Sequence, residues 1–316
     1  MKKPVLITFT LLAAMLFSCK EKVISDNPFL NDFDTPFEVP PFDKIKPSHY
    51  IPAYMKGFEQ QKKEIKAIIT NKSEPTFENT IKPLEYSGQL LTKVSRVFNA
   101  LNSANTDDSL QAINREITPL LSKHRDDINL NDSLFRRVEY VFKHMDKYRL
   151  NEEEKKVLDD TYKNFVRNGA ALSPEDKEKL RRINQELSLL SVKFGENLLA
   201  ETNGFRLVIE RQEDLSGLPE GVIAQAAAMA RSLNMDGKWV FTLQVPSMTP
   251  FLQYSDRRDL REKLFTAYFM KGDNDNQYDN KEITAKIARL RVEKANLLGY
   301  KSHAHFVLER NMAKTP

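Results

Sequence analysis

Residues 173–204 carry one uninterrupted helical pattern, and that run constrains the fold more than any other feature. Ser173 is a favoured N-cap, because its hydroxyl accepts a backbone N–H that has no partner within the helix. Pro174 suits the first turn, where a missing N–H costs nothing, and Glu175 and Asp176 complement the positive end of the helix dipole. Leu180, Ile183, Leu187, Leu190, Phe194 and Leu198 recur at three- and four-residue spacing, and Gly204 ends the run. About 30 residues at a rise of ~1.5 Å give a rod of about 45 Å. A rod of that length with one apolar stripe is a structural spine against which shorter elements pack.

The rest of the chain supplies such elements. Ile51, Tyr54, Met55, Phe58, Ile65, Ile68 and Ile69 mark a first helix. After the break at Glu74-Pro75-Thr76, one helix is expected with Leu84, Leu91, Val94, Phe98 and Leu101 as its stripe. Leu110, Ile113, Ile117 and Leu121 define the next, with a kink expected at Pro119. Asn131-Asp132-Ser133 opens another, with Leu134, Val138, Val141 and Phe142 inward. Residues 152–166 form a further helix that Gly169 can terminate. Residues 205–210 (FRLVIE) and 239–245 (WVFTLQV) are rich in aromatic and branched residues and read as strands flanking a helix over 219–235. Helices resume over 249–270 and 280–298, the second stopped by Gly299. Only 10 of 316 residues are Gly. The predicted fold is mainly α, a multi-helix body from residue 48 to 316 with one small β element.

Apolar residues make up 41% and charged residues 29% of the chain, a soluble balance, and the net charge is +4. No basic block forms a nucleic-acid footprint, so no nucleic-acid partner is expected. A single Cys excludes an internal disulfide and any Cys-based zinc site. Met1-Lys2-Lys3, a short apolar run over residues 5–17, and Leu16-Phe17-Ser18-Cys19 have the order of a secretory signal ending in a bacterial lipoprotein box. Residues 1–18 are therefore expected to be a signal peptide and Cys19 the lipidated first residue of the mature chain. The alternative is a plain signal peptide with an incidental Cys. Two or more acyl chains give stable attachment, which would place the protein in the cell envelope, held to a membrane by its anchor. Residues 19–47, broken by Pro28, Pro36, Pro40, Pro41 and Pro47, read as the tether, its end packing on the body.

Candidate chemical sites are few. A zinc hydrolase helix needs two histidines one turn apart with a Glu beside them, H-E-x-x-H. The five histidines are His49, His124, His144, His303 and His305, and no two are four apart. His303 and His305, two apart, fall on different faces of a helix and read as surface residues. Residues 272–280 (GDNDNQYDN) resemble a calcium loop, but Tyr278 replaces the sharp-turn Gly and Thr284 the bidentate Glu. A polar loop whose Asp279 or Asn280 caps the next helix is the simpler reading. The charge run over residues 256–263 reads as a solvated face with i,i+3 and i,i+4 ion pairs. There is no Gly-x-Ser-x-Gly elbow, P-loop or dinucleotide fingerprint. No catalytic residue and no metal ligand can be assigned.

Residues 254–316, opening YSDRRDLREKLFTAYFMKGDNDNQYDNKEITAKIARLRVEKANLLGY and ending VLERNMAKTP, together with 75–81 (PTFENTI), 87–91 (SGQLL), 124–131 (HRDDINLN) and 184–199, carry a resemblance. The chain resembles zinc oligopeptidases of the thimet oligopeptidase and peptidyl-dipeptidase family, most of all the bacterial peptidyl-dipeptidases. The resemblance implies the helical N-terminal half of a channel-type peptidase, walling a deep channel that admits short unfolded peptides. It also implies, for the complete enzyme, removal of C-terminal dipeptides by one zinc held by H-E-x-x-H and a further Glu. This sequence contains no such motif, so none of those ligands carries over. Residues 312–316 (MAKTP) are similar to the family's entry into its next helix, and Thr315-Pro316 has the form of a helix start. The expectation is a region ending before the catalytic core, binding no zinc and inactive alone. The alternative is a lipid-anchored helical binding or scaffold protein that kept the fold without catalysis. A third arrangement has a separate polypeptide supplying the catalytic half.

Overall fold

The computed structural model describes residues 26–316. The signal segment and Cys19 lie outside the described residues.

Helix α1 (Pro47–Thr70) organises the first half of the body. Its 24 residues place aromatic side chains toward one end and isoleucines toward the other. Tyr50, Tyr54 and Phe58 join Val94, Val97 and Phe98 of α3 (Gln89–Ala104) and Ile113 and Ile117 of α4 (Asp108–Asn129) in one core. Ile65 and Ile68 enter a second core with Leu134 and Val138 of α5 (Asp132–Lys143) and Leu158 and Phe165 of α6 (Glu152–Arg167). The chain before α1 also packs. Phe29 is 1% exposed and meets Tyr50 with ring centroids 5.2 Å apart, and Asn27 Nδ2 donates to the His49 carbonyl at 2.8 Å.

The segment after Thr76 differs from the single helix expected. A wide turn (Phe77–Ile81) and the short α2 (Lys82–Glu85) precede α3, and Gly88 separates them in the left-handed conformation at φ 73°. Thr76 and Asn79 cap the turn reciprocally. Buried Arg137 fixes the loop before it, donating to the carbonyls of Asn71 at 2.9 Å and Ser73 at 3.3 Å. Helix α4 remains continuous through Pro119.

The spine is α7 (Pro174–Gly204), 31 residues long, with Ser173 Oγ accepting the Asp176 N–H at 3.2 Å. Beyond it, β1 (Leu207–Ile209) and β2 (Trp239–Phe241) pair antiparallel, Leu207 opposite Phe241, as the two β-type runs required. Helix α8 (Glu220–Ser232) connects them. With Met248 and Phe251 of α9 (Val245–Tyr254) and Leu264 of α10 (Arg258–Phe269) they enclose a third core. The continuous helix expected over 249–270 is broken between α9 and α10. There the Asp256 N–H donates to the Ser216 carbonyl at 2.9 Å, and Ser216 Oγ donates to Asp256 at 2.6 Å. Helix α11 (Lys281–Leu297) returns along α7, Gly299 turns the chain at φ 82°, and α12 (His303–Leu308) follows.

Candidate functional site

The spine is held on both sides by buried polar groups, and these clamps are the most constrained chemistry among the described residues. Near its first half, Asn184 Nδ2 donates to Asp126 of α4 at 2.9 Å, and Lys294 of α11 donates to Asn184 Oδ1 at 2.7 Å. One carboxamide thus links three helices. Asp126 is 6% exposed. Burial raises its pKa against the opposing hydrogen bond from Asn184 and the charges of Arg181 and Lys294. Burial lowers the pKa of Lys294, the Asp126 charge opposing. Two charged groups of opposite sign, each short of water, steady one another through a neutral amide. Beside them Arg181 donates to Asp127 at 2.8 Å, and Lys177, its side chain 7% exposed, pairs with Asp132.

The second clamp lies one end further on. Asn197, 1% exposed, donates to Asn280 Oδ1 at 2.9 Å, and Asn280 Nδ2 donates to the Phe194 carbonyl at 3.1 Å. Glu201 accepts from Asn274 at 3.0 Å, from Asn276 at 2.7 Å, and from the Gly272 N–H. Asn280 stands at the N-cap position of α11, but its side chain makes no cap bond; it is turned onto the spine. Asp279 instead accepts the Lys281 N–H at 2.8 Å.

The loop that resembles a calcium site holds an internal cation. Lys281 Nζ lies 2.8 Å from Asp273, 2.7 Å from Asp275 and 2.9 Å from Asp279. These hydrogen bonds, that from Asp273 first, raise the lysine pKa. The charge run over residues 256–263, which leads into α10, also pairs differently from the expected helical spacing. Arg257 bridges Asp259, two residues on, and Asp214 of the preceding loop.

The histidines are dispersed. His49 Nδ1 accepts the Lys46 N–H at 3.1 Å and caps α1. His144 Nδ1 lies 2.8 Å from the Tyr140 carbonyl oxygen. His305 Nδ1 lies 2.7 Å from Ser302 Oγ, and His303 sits half-buried near the Phe306 ring. His124 is 4% exposed, beneath Phe58. Among the described residues no group of three or more His, Cys, Asp and Glu side chains is placed to hold a metal ion. A catalytic zinc takes about three protein ligands and an open water position, so the described residues do not fit one.

Sequence reasoning missed the clamps. Asp126, Asn184, Asn197 and Lys294 are polar, and periodicity assigns polar residues to the solvent side. Their one visible signal was position: all four fall within stretches that carry the family resemblance, 124–131, 184–199 and the stretch that begins at residue 254.

The fold and clamps define a helical framework braced by polar contacts between α4, α7 and α11. Residues 251–316 match the model of peptidase family M3. Over 290 residues the chain is 37% identical to the dipeptidyl carboxypeptidase of Escherichia coli strain K12, covering 92% of this chain and 43% of that protein. It is 30% identical to oligopeptidase A of the same strain, over 92% of this chain and 42% of that protein. The organellar oligopeptidase A of Arabidopsis thaliana is 32% identical, over 93% of this chain and 37% of that protein. Over residues 251–316 the chain matches peptidase family M3, and it spans less than half the length of the relatives to which it is similar.

Proposed function

We propose that this chain forms the helical, substrate-confining part of a zinc metallopeptidase that removes C-terminal dipeptides from short peptides. The observation that carries the reading is the 37% identity to a dipeptidyl carboxypeptidase over 92% of the chain. The clamped spine supports it physically. A channel wall must keep its shape while an extended peptide binds, because positioning contributes to rate only when the bound geometry is held. On this reading the zinc that activates water is held by a catalytic part outside the described residues. The wall contributes binding and the exclusion of folded substrates. Purified residues 20–316 should then contain no stoichiometric zinc and leave a blocked tripeptide intact when zinc is added. Bound zinc with chelator-sensitive turnover would overturn the reading.

We also propose that the protein is a lipoprotein of the cell envelope anchored through Cys19, which the order of the first nineteen residues supports. A fatty-acid probe should label the wild type and not Cys19→Ser; equal labelling would refute the anchor.

A further inference from the structure

Residues 299–316 stand apart from the three apolar cores: none of them is buried, and none packs into a core cluster. Two arginines tie this segment to α6 instead. Arg167 lies in the last turn of α6, its side chain 15% exposed. It donates to the Phe306 carbonyl at 2.8 Å and to the Tyr300 hydroxyl at 3.2 Å, and it pairs with Glu309. Its guanidinium carbon lies 4.7 Å from the centre of the Phe306 ring and 5.7 Å from that of Tyr300. The Tyr300 hydroxyl donates to Glu309 at 2.8 Å, so that carboxylate is shared between phenol and guanidinium. Arg310 supplies an outer tie, pairing with Asp160 at 2.5 Å and donating to Asn164. Among the described residues, every hydrogen bond and ion pair between residues 299–316 and α6 passes through one of these two guanidiniums.

The other end of the segment is a turn with room around it. Gly299 has φ 82°, and an added Cβ there would meet no atom within 4 Å. A cleft of about 570 Å³ separates the segment from α6, lined by Lys163 and Val166 on one side and by Tyr300, Glu309 and Lys314 on the other. Asp160 also pairs with Lys156, so loss of Arg310 does not strand its charge.

Segments with few buried apolar contacts open at a lower free energy than the body that carries them. Exposed ion pairs hold weakly and are screened by salt. Arg310 and Asp160 are each about one-third exposed, whereas Arg167 is shielded between two rings. We propose that residues 300–316 form a strap that swings off α6 about Gly299, with Arg310 as the outer and Arg167 as the inner half of a latch that ionic strength releases. Opening widens the cleft and uncovers the Arg167 guanidinium. The strap is a device of this chain by itself and does not rest on the peptidase reading.

The test is a distance measurement between two spin labels on the full chain carrying Cys19→Ser. One label is placed at Glu153→Cys of α6 and the other at Ala304→Cys of α12, both exposed positions. At low salt a single distance is expected. Raising NaCl to about 1 M, where the screening length falls to about 3 Å, should add a second and longer one. Arg310→Gln should increase the share of the long distance at every salt concentration. Arg167→Gln should make it the main one at low salt. Helix content by circular dichroism should stay unchanged in both. Arg289→Gln, which removes an exposed pair on α11, should behave as the parent. Distances indifferent to salt and to both latch arginines would overturn the proposal. So would a long distance that appears equally in Arg289→Gln, or one that appears only as helix content is lost, since the body would then be opening with the segment.

Discussion

Three carboxylates converge on the Lys281 ammonium, so the loop over residues 272–280 has its cation built in. Lys281→Met should leave Asp273, Asp275 and Asp279 facing one another without a counter-charge. Millimolar calcium, which takes about six to eight oxygen ligands, should then raise the melting temperature of the variant and not that of the wild type; equal responses would contradict this. His124 gives a pH signature. In the unfolded chain its ring takes up a proton near the usual 6.5, whereas in the fold burial moves that uptake lower. As pH falls through this window the unfolded state binds more protons, so stability drops, and above it His124 has no effect. His303 is lowered too, by burial and then by Arg291 and Lys294. His124→Gln should lessen the stability lost between about pH 7.5 and 5.5 in urea unfolding, and the double variant with His303→Gln should lessen it further. An unchanged slope would show that neither buried ring matters.

At the scale of elements, two glycines separate backbone need from helix propensity. Gly88 has φ 73° and presses on Gln61, so Gly88→Ala should destabilise by about 1–3 kcal/mol in urea unfolding. Gly195 lies within α7 with nothing within 4 Å of an added Cβ, so Gly195→Ala should stabilise by roughly 0.5–1 kcal/mol. The reverse ordering would contradict the geometry. Asn197→Ala should cost about 1–3 kcal/mol, because it leaves Asn280 Oδ1 unpaired in the clamp. The helices themselves were legible where local chemistry marks an end: Ser173 caps α7, and Asn131 Oδ1 accepts the Leu134 N–H at 2.9 Å to cap α5. Helical breaks were legible only where the cause is local. At Gly88 the backbone N–H donates to Glu64 of α1 and an added side chain would meet Gln61, and at Asp256 the N–H donates to Ser216, 40 residues earlier. None of these partners shows in a window of periodicity. The two strands were found because aromatic and branched residues cluster there, although the paired stretch is three residues on each side. Among candidate sites, the departures at Tyr278 and Thr284 from a calcium loop show in the sequence, while the lysine seated among its carboxylates and the arginines that share a cleft with His124 needed three-dimensional neighbours.

For the whole molecule, three apolar cores form, and the long helix α7 uses its own polar residues to hold α4 on one side and the start of α11 on the other. This frame is 37% identical to a dipeptidyl carboxypeptidase over 92% of the chain. We propose that this frame supplies a peptidase's substrate-confining part while the zinc chemistry comes from elsewhere. The most direct measurement joins this chain to the portion of the Escherichia coli dipeptidyl carboxypeptidase that lies outside the match and assays release of C-terminal dipeptides from a blocked tripeptide. Zinc-dependent, chelator-sensitive release is expected from the joined protein and none from the chain alone. A folded, zinc-loaded chimera that releases no dipeptide, beside an active parent enzyme, would contradict it.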